Sequence, residues 1–194
     1  YETAQADAII HLACARWDKK RSASENESRI LDTRIKGTYN LLQAAHNANL
    51  NRVIQISDLC ILDGYAKNLM VSEDFLPLPD TSAYQQSVYL SEWVGREFSR
   101  QQTNRILTLR LGQLINTHTL SAQANYCDGW LDIEDAIDAI LYGLELERLD
   151  STNQWPLYNL AADVPNNRYS LLKIQSAQFG FFPQQNFSAW RRDH

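Results

Sequence analysis

The chain has 194 residues, 44% apolar and 21% charged, with a formal net charge of −5. That is enough for one domain with its own core. The acidic balance speaks against the basic face of a nucleic-acid binder, and the short clusters "KKR" at 19–21 and "RR" at 191–192 read as solvated surface charge.

Cys14, Cys60 and Cys127 are far apart and odd in number. This argues against a disulfide framework and for a reducing, cytoplasmic compartment. No apolar run has membrane-spanning length or the form of a signal peptide. The sequence begins in mid-pattern at Tyr1, as expected of part of a longer gene product or of a gene that has lost its front.

In chain order, "DAIIHLACA" (7–15) is a continuous apolar run and predicts a buried parallel strand. Residues 19–29 are polar without periodicity and predict a loop. From Leu31 to Asn47 the apolar positions Ile35, Tyr39, Leu42 and Ala45 recur at helical spacing. "RVIQIS" (52–57) predicts the next strand, followed by an irregular stretch broken by "PLP" at 77–79. Ser82 is placed to cap a helix running to Gln102. "ILTLRLG" (106–112) predicts a strand, and residues 132–147 an amphipathic helix with Asp132 as N-cap. "PLYNLA" (156–161) predicts a strand and "YSLLKIQSAQFG" (169–180) a last short helix. Strands alternating with helices predict an α/β domain with a mostly parallel sheet.

Seven segments in order carry a resemblance. "IIHLAC", "IKGTYNLLQAA" (35–45), "NRVIQISD" (51–58), "AYQQSVYLSE" (83–92), "TLRLGQLI" (108–115), "WLDIEDAIDAI" (130–140) and "YNLA" (158–161) resemble, at matching spacing, the motifs of extended short-chain dehydrogenases/reductases. This is the NAD-dependent epimerase/dehydratase group. The short stretch from Arg110 to Asp132 and the ending "FGFFPQQNFSAW" (179–190) are most similar to uronate dehydrogenases.

The resemblance implies a Rossmann-like NAD(P)-binding fold over one domain, 1–194. Residues 1–115 would be the remainder of the sheet and 116–194 a short substrate or closing region. It also implies NAD or NADP as cofactor, a sugar or nucleotide-sugar substrate, and a homodimer through helices 35–47 and 84–102. Leu12, Ala13, Cys14, Ser57, Tyr84, Leu111 and Gly112 fall at its cofactor-lining positions.

The departures from the pattern are specific. A dinucleotide fold needs clustered glycines so that the backbone can approach the phosphates at a helix N-terminus. The seven glycines here, at 37, 64, 95, 112, 129, 143 and 180, never fall within ten residues of one another. The first βαβ portion of the family's fold is therefore missing from this sequence.

The family's acid/base tyrosine matches Tyr84. A free phenol has a pKa of about 10, so only about one in a thousand is ionised at pH 7. A lysine one helical turn on lowers that pKa and holds the nicotinamide ribose. Val88 stands at the lysine position. Asp58 stands where the second serine of the motif belongs, after Ser57, and Arg34 replaces the helix asparagine. An ionised Asp58 near Tyr84 would disfavour the tyrosinate.

Three functional readings follow: a catalytically degenerate relative, an enzyme whose altered site is completed by residues outside this sequence with Arg34 as substitute cation, or a non-catalytic scaffold.

Other constellations are weaker. His11 and Cys14 lack the further ligands a metal site needs. Ser57 has no G-x-S-x-G elbow. Cys60 reads as a small buried residue. Tyr169 and Lys173 form a literal Y-x-x-x-K, read as a helix start with an exposed lysine.

Overall fold

The computed structural model describes residues 6–50, 52–101, 105–146 and 155–191. In chain order its elements are β1 (Ile9–His11), α1 (Ala23–Leu31), a π turn (Asp32–Lys36), α2 (Gly37–Asn47), β2 (Arg52–Asp58), a 3-10 turn (Leu59–Leu62), α3 (Ala83–Arg100), β3 (Arg105–Leu111), β4 (Gln113–Ile115), β5 (Trp130–Asp132), α4 (Ile133–Glu145) and β6 (Leu157–Leu160). The expected helix ends at Gln102 and Glu147 lie outside the described residues.

Four strands form one parallel sheet in the order β1-β2-β3-β6, and β4 pairs with β5 beside it. The register sets Ile10 against Ile54, Ile54 against Leu107 and Leu109 against Tyr158. Successive strand residues face opposite sides. Val53 and Ile106 pack with Leu42 of α2 and Phe98 of α3. Ile54 and Leu107 face α4, where a Cβ on Gly143 would stand 2.7 Å from Leu107 Cδ2. On the α3 side, a Cβ on Gly95 would stand 1.9 Å from Gln55 Oε1, and Gln55 Nε2 donates to the Ser91 carbonyl at 2.7 Å. The small residues Ser87, Ser91 and Gly95 thus let α3 lie close on the sheet.

Three expectations are corrected. Residues 19–29 are not all loop, because α1 starts at Ala23 on a capping box. Glu25 N–H donates to Ser22 Oγ at 3.3 Å, and Ser22 N–H donates back to Glu25 Oε2 at 2.9 Å. The helix hides from an apolar count because the buried residues on its face are Asn26 and Ile30. Asn26 is satisfied there by Asp18 and Ser22.

Residues 169–180 form turns, not a helix. Their start is held as a strand-like bridge: Val71 N–H donates to Arg168 O, and Ser170 N–H to Val71 O, both at 2.8 Å. The apolar run at 7–15 is strand only from Ile9 to His11. Among the described residues β1 is paired on one edge only, and Leu12 to Cys14 run on exposed.

Candidate active site at the carboxyl ends of the strands

β2 delivers Asp58 to the carboxyl end of the sheet, where the chain turns into the 3-10 turn. One carboxylate oxygen accepts the Cys60 N–H at 2.8 Å and so caps that turn. The other, Oδ2, accepts the phenol hydrogen of Tyr84 at 2.6 Å. Tyr84 is brought there by the start of α3, which Ser82 caps by accepting the Gln85 N–H.

Arg34 comes from the π turn and lies over the same ring, its guanidinium carbon 5.2 Å from the centroid. A π turn adds a residue to a helical turn and is frequent at functional sites. Thr38 Oγ1 donates to the Arg34 carbonyl, and His11 Nε2 stands 2.7 Å from the same hydroxyl oxygen.

These contacts set the charge states. Burial, then the Asp58 charge and its hydrogen bond, push the Tyr84 phenol well above the usual tyrosine range, and Arg34 pulls back less. Burial, followed by Asp58, raises the Cys60 thiol as well. Burial and then Arg34 lower His11. Tyr84, Cys60 and His11 are therefore all neutral at pH 7.

Arg34, Asp58 and Tyr84 are thus brought together, as the motif spacing implies, but Ser57 is not among them. It points into the sheet's α3 face, and its Oγ donates to Glu92 Oε1. Glu92 in turn receives Arg110 through Nε at 2.9 Å and Nη2 at 2.8 Å, with both side chains 2% exposed. Removing one partner of a buried pair of this kind typically costs about 3–5 kcal/mol, because the other charge is left buried and unpaired. Glu92 and Arg110 both lie inside the motifs quoted above, where nothing in their spacing marks them as a pair.

Val88 is fully buried in the main core. Leu111 is also core, and a Cβ on Gly112 would meet the Gly129 carbonyl oxygen at 2.1 Å. Gly112 is therefore fixed by backbone packing. Tyr169 donates to Asp63 Oδ1 at 2.9 Å, while Lys173 lies over the Tyr158 ring at 5.3 Å. Without a helix beneath them they do not make the stacked pair that their spacing suggests. Among the described residues no cluster of three or more His, Cys, Asp or Glu side chains could hold a metal ion.

A sequence model of the NAD dependent epimerase/dehydratase family matches residues 1–125, well over half of the chain. The chain belongs to that family. Solved structures agree on the fold. Glucuronic acid dehydrogenase from Chromohalobacter salexigens superposes with a TM-score of 0.77 at 21% identity, over 95% of this chain and 63% of that one. A mutant uronate dehydrogenase from Agrobacterium tumefaciens, complexed with NAD, gives 0.75 at 19% identity, over 92% and 62%. A UDP-galactose 4-epimerase gives 0.70 at 15% identity, over 96% and 75%. The chain therefore spans less than two thirds of the length of either dehydrogenase. No curated protein matches it.

The family implies a nicotinamide dinucleotide, and the clustered glycines that would cradle its phosphates are not among the residues of this chain. A pyrophosphate needs clustered glycines at a helix N-terminus, and the seven glycines of the chain are scattered. Val88, which the resemblance sets at the position of the ribose-holding lysine, is buried in the core.

Proposed function

We propose that this chain is a catalytically degenerate member of a NAD(P)-dependent sugar dehydrogenase and epimerase family. It keeps the family's sheet and the grouping of Arg34, Asp58 and Tyr84, and it does not carry out hydride transfer by itself. The observation that carries this reading is the Tyr84–Asp58 hydrogen bond at 2.6 Å. It holds the phenol proton on the tyrosine, next to a position where valine has replaced the cation. The family's mechanism asks for the reverse, a proton that leaves and returns near neutral pH.

The test is turnover of the 194-residue protein with NAD⁺ or NADP⁺ and uronates or UDP-sugars. No turnover is expected, and none is expected after restoring Val88→Lys together with Asp58→Ser. Robust activity of the unmodified protein would sink this reading.

A second reading has its own support: an altered enzyme completed by residues outside this sequence. The far edge of β1 is unpaired among the described residues, and Ile10 and Leu12 beside it are exposed. On the same face of the sheet, Ile133, Ile137 and Leu141 form an exposed apolar flank of α4. The opposite flank is covered by the C-terminal segment, where Asp135 accepts the N–H groups of Gln184 and Gln185. An unpaired edge beside an apolar flank suits a further strand and helix. In that reading Tyr84 remains the acid/base and Arg34 the substitute cation.

The outer faces of α2 and α3 form an apolar groove of about 710 Å³ around Tyr39, His46, Leu90, Trp93 and Phe98. We assign it to a homodimer contact, within helices 35–47 and 84–102. The three free cysteines fit a reducing, cytoplasmic setting. No helix among the described residues is long and apolar enough to cross a membrane.

A further inference from the structure

We propose that Ser57 is a positioning residue for the site: tied to the buried Glu92–Arg110 pair, it fixes the end of β2 and so keeps Asp58 on the Tyr84 hydroxyl. The inference rests on the Tyr84–Asp58 contact that carries the proposed function, and it says what holds that contact in place.

Ser57 and Asp58 are neighbours at the end of β2, and adjacent strand side chains leave on opposite sides. α3 grips both of them. Tyr84 donates to Asp58 Oδ2 at 2.6 Å, and Ser57 Oγ donates to Glu92 Oε1. Tyr84, Val88 and Glu92 follow at four-residue steps on one face of α3. Eight residues of helix set the two grips about 12 Å apart along the axis, yet they close on consecutive strand residues. A third contact joins the same two elements, where Gln55 Nε2 donates to the Ser91 carbonyl at 2.7 Å. With Ser57 held on one side, the alternation of the strand presents Asp58 at its end, where Tyr84 reaches it.

Glu92 can hold Ser57 because it is itself fixed. Arg110 is the register partner of Ser57 on β3. It grips Glu92 through Nε at 2.9 Å and Nη2 at 2.8 Å. Ser57, Glu92 and Arg110 are each at most 4% exposed, so bulk water does not compete for these bonds. A carboxylate held through two charge-assisted bonds is a stationary acceptor. The second bond to Asp58 cannot replace this anchor. Cys60 N–H belongs to the turn that Asp58 caps, and it moves with Asp58 if the strand end shifts.

The test is the pH titration of the labelled Tyr84 ring carbon by NMR in the parent, Ser57→Ala, Asp58→Asn and the double variant, with the amide spectrum as a check of the fold. Ser57→Ala removes one donor and leaves both Glu92 oxygens on Arg110, so no buried charge loses its partner. Its Tyr84 midpoint should fall in the same direction as that of Asp58→Asn, by a smaller amount, because Asp58 is less firmly held on the phenol. On the Asp58→Asn background Ser57→Ala should add nothing, since it acts through Asp58. Ser57→Thr, which keeps the hydroxyl and suits a strand, should restore the parent's midpoint. A folded Ser57→Ala with the parent's midpoint would overturn the assignment, and so would a shift that persists in full on the Asp58→Asn background. If Ser57→Ala does not fold, Ser57→Cys, which keeps the volume with a weaker donor, carries the test with the same two outcomes. If Asp58→Asn itself leaves the midpoint unchanged, the Tyr84–Asp58 contact fails as the basis of the proposed function, and the positioning role falls with it.

Discussion

A tyrosine becomes an acid/base catalyst through its neighbours, and here the neighbours work the other way. Burial first, then Asp58, hold the Tyr84 phenol protonated. Asp58→Asn should therefore lower the Tyr84 pKa toward about 10, readable as the pH titration of its labelled ring carbon by NMR. An unchanged titration would mean that burial alone sets it. The linkage has a definite sign. A folded pKa raised above the unfolded value adds stability that is full below about pH 10 and is lost as pH climbs through the folded value. Asp58→Asn should shrink that alkaline loss. The positions of Val88, Asp58 and Tyr84 were legible in the sequence, because one helix and one strand end fix their spacing. The inward turn of Ser57 was not legible. It depends on Glu92 and Arg110, which reach it across 35 residues of chain and then 18 more.

Elements were legible where apolar spacing announces them, and less so where polar groups do the work. β2, β3, α3 and α4 follow the expected pattern closely, and their caps at Ser82 and Asp132 hold as expected. α1 was missed because its start is written in hydrogen bonds between Ser22 and Glu25 and its packing in a buried asparagine. Ser22→Ala should cost about 1 kcal/mol of stability in urea unfolding, the usual value of an N-cap. No measurable change would show that α1 is held by Asn26 alone. The apparent helix at 169–180 failed for a related reason. Leu171, Ile174 and Phe179 are all buried, but backbone pairing with Val71 claims the start of the segment before a helix can form.

At the scale of the molecule, the parallel sheet was foreseen from the order of the motifs, while the assembly could only be inferred from resemblance. The small-residue stripe of α3 faces the sheet, and the groove around Trp93 is the surface we propose for a homodimer contact. Trp93→Glu should convert a dimer to a monomer in sedimentation, since an interface centred on an aromatic anchor does not tolerate a buried charge. A parent protein that sediments as a monomer would remove the assignment.

We propose that this family member keeps the fold without the cofactor site. Calorimetric titration of the purified 194-residue protein with NAD⁺, NADH, NADP⁺ and NADPH tests it most directly. No binding of any of the four is expected at millimolar concentration; tight binding of one would contradict the loss of the site and make the altered enzyme the better description.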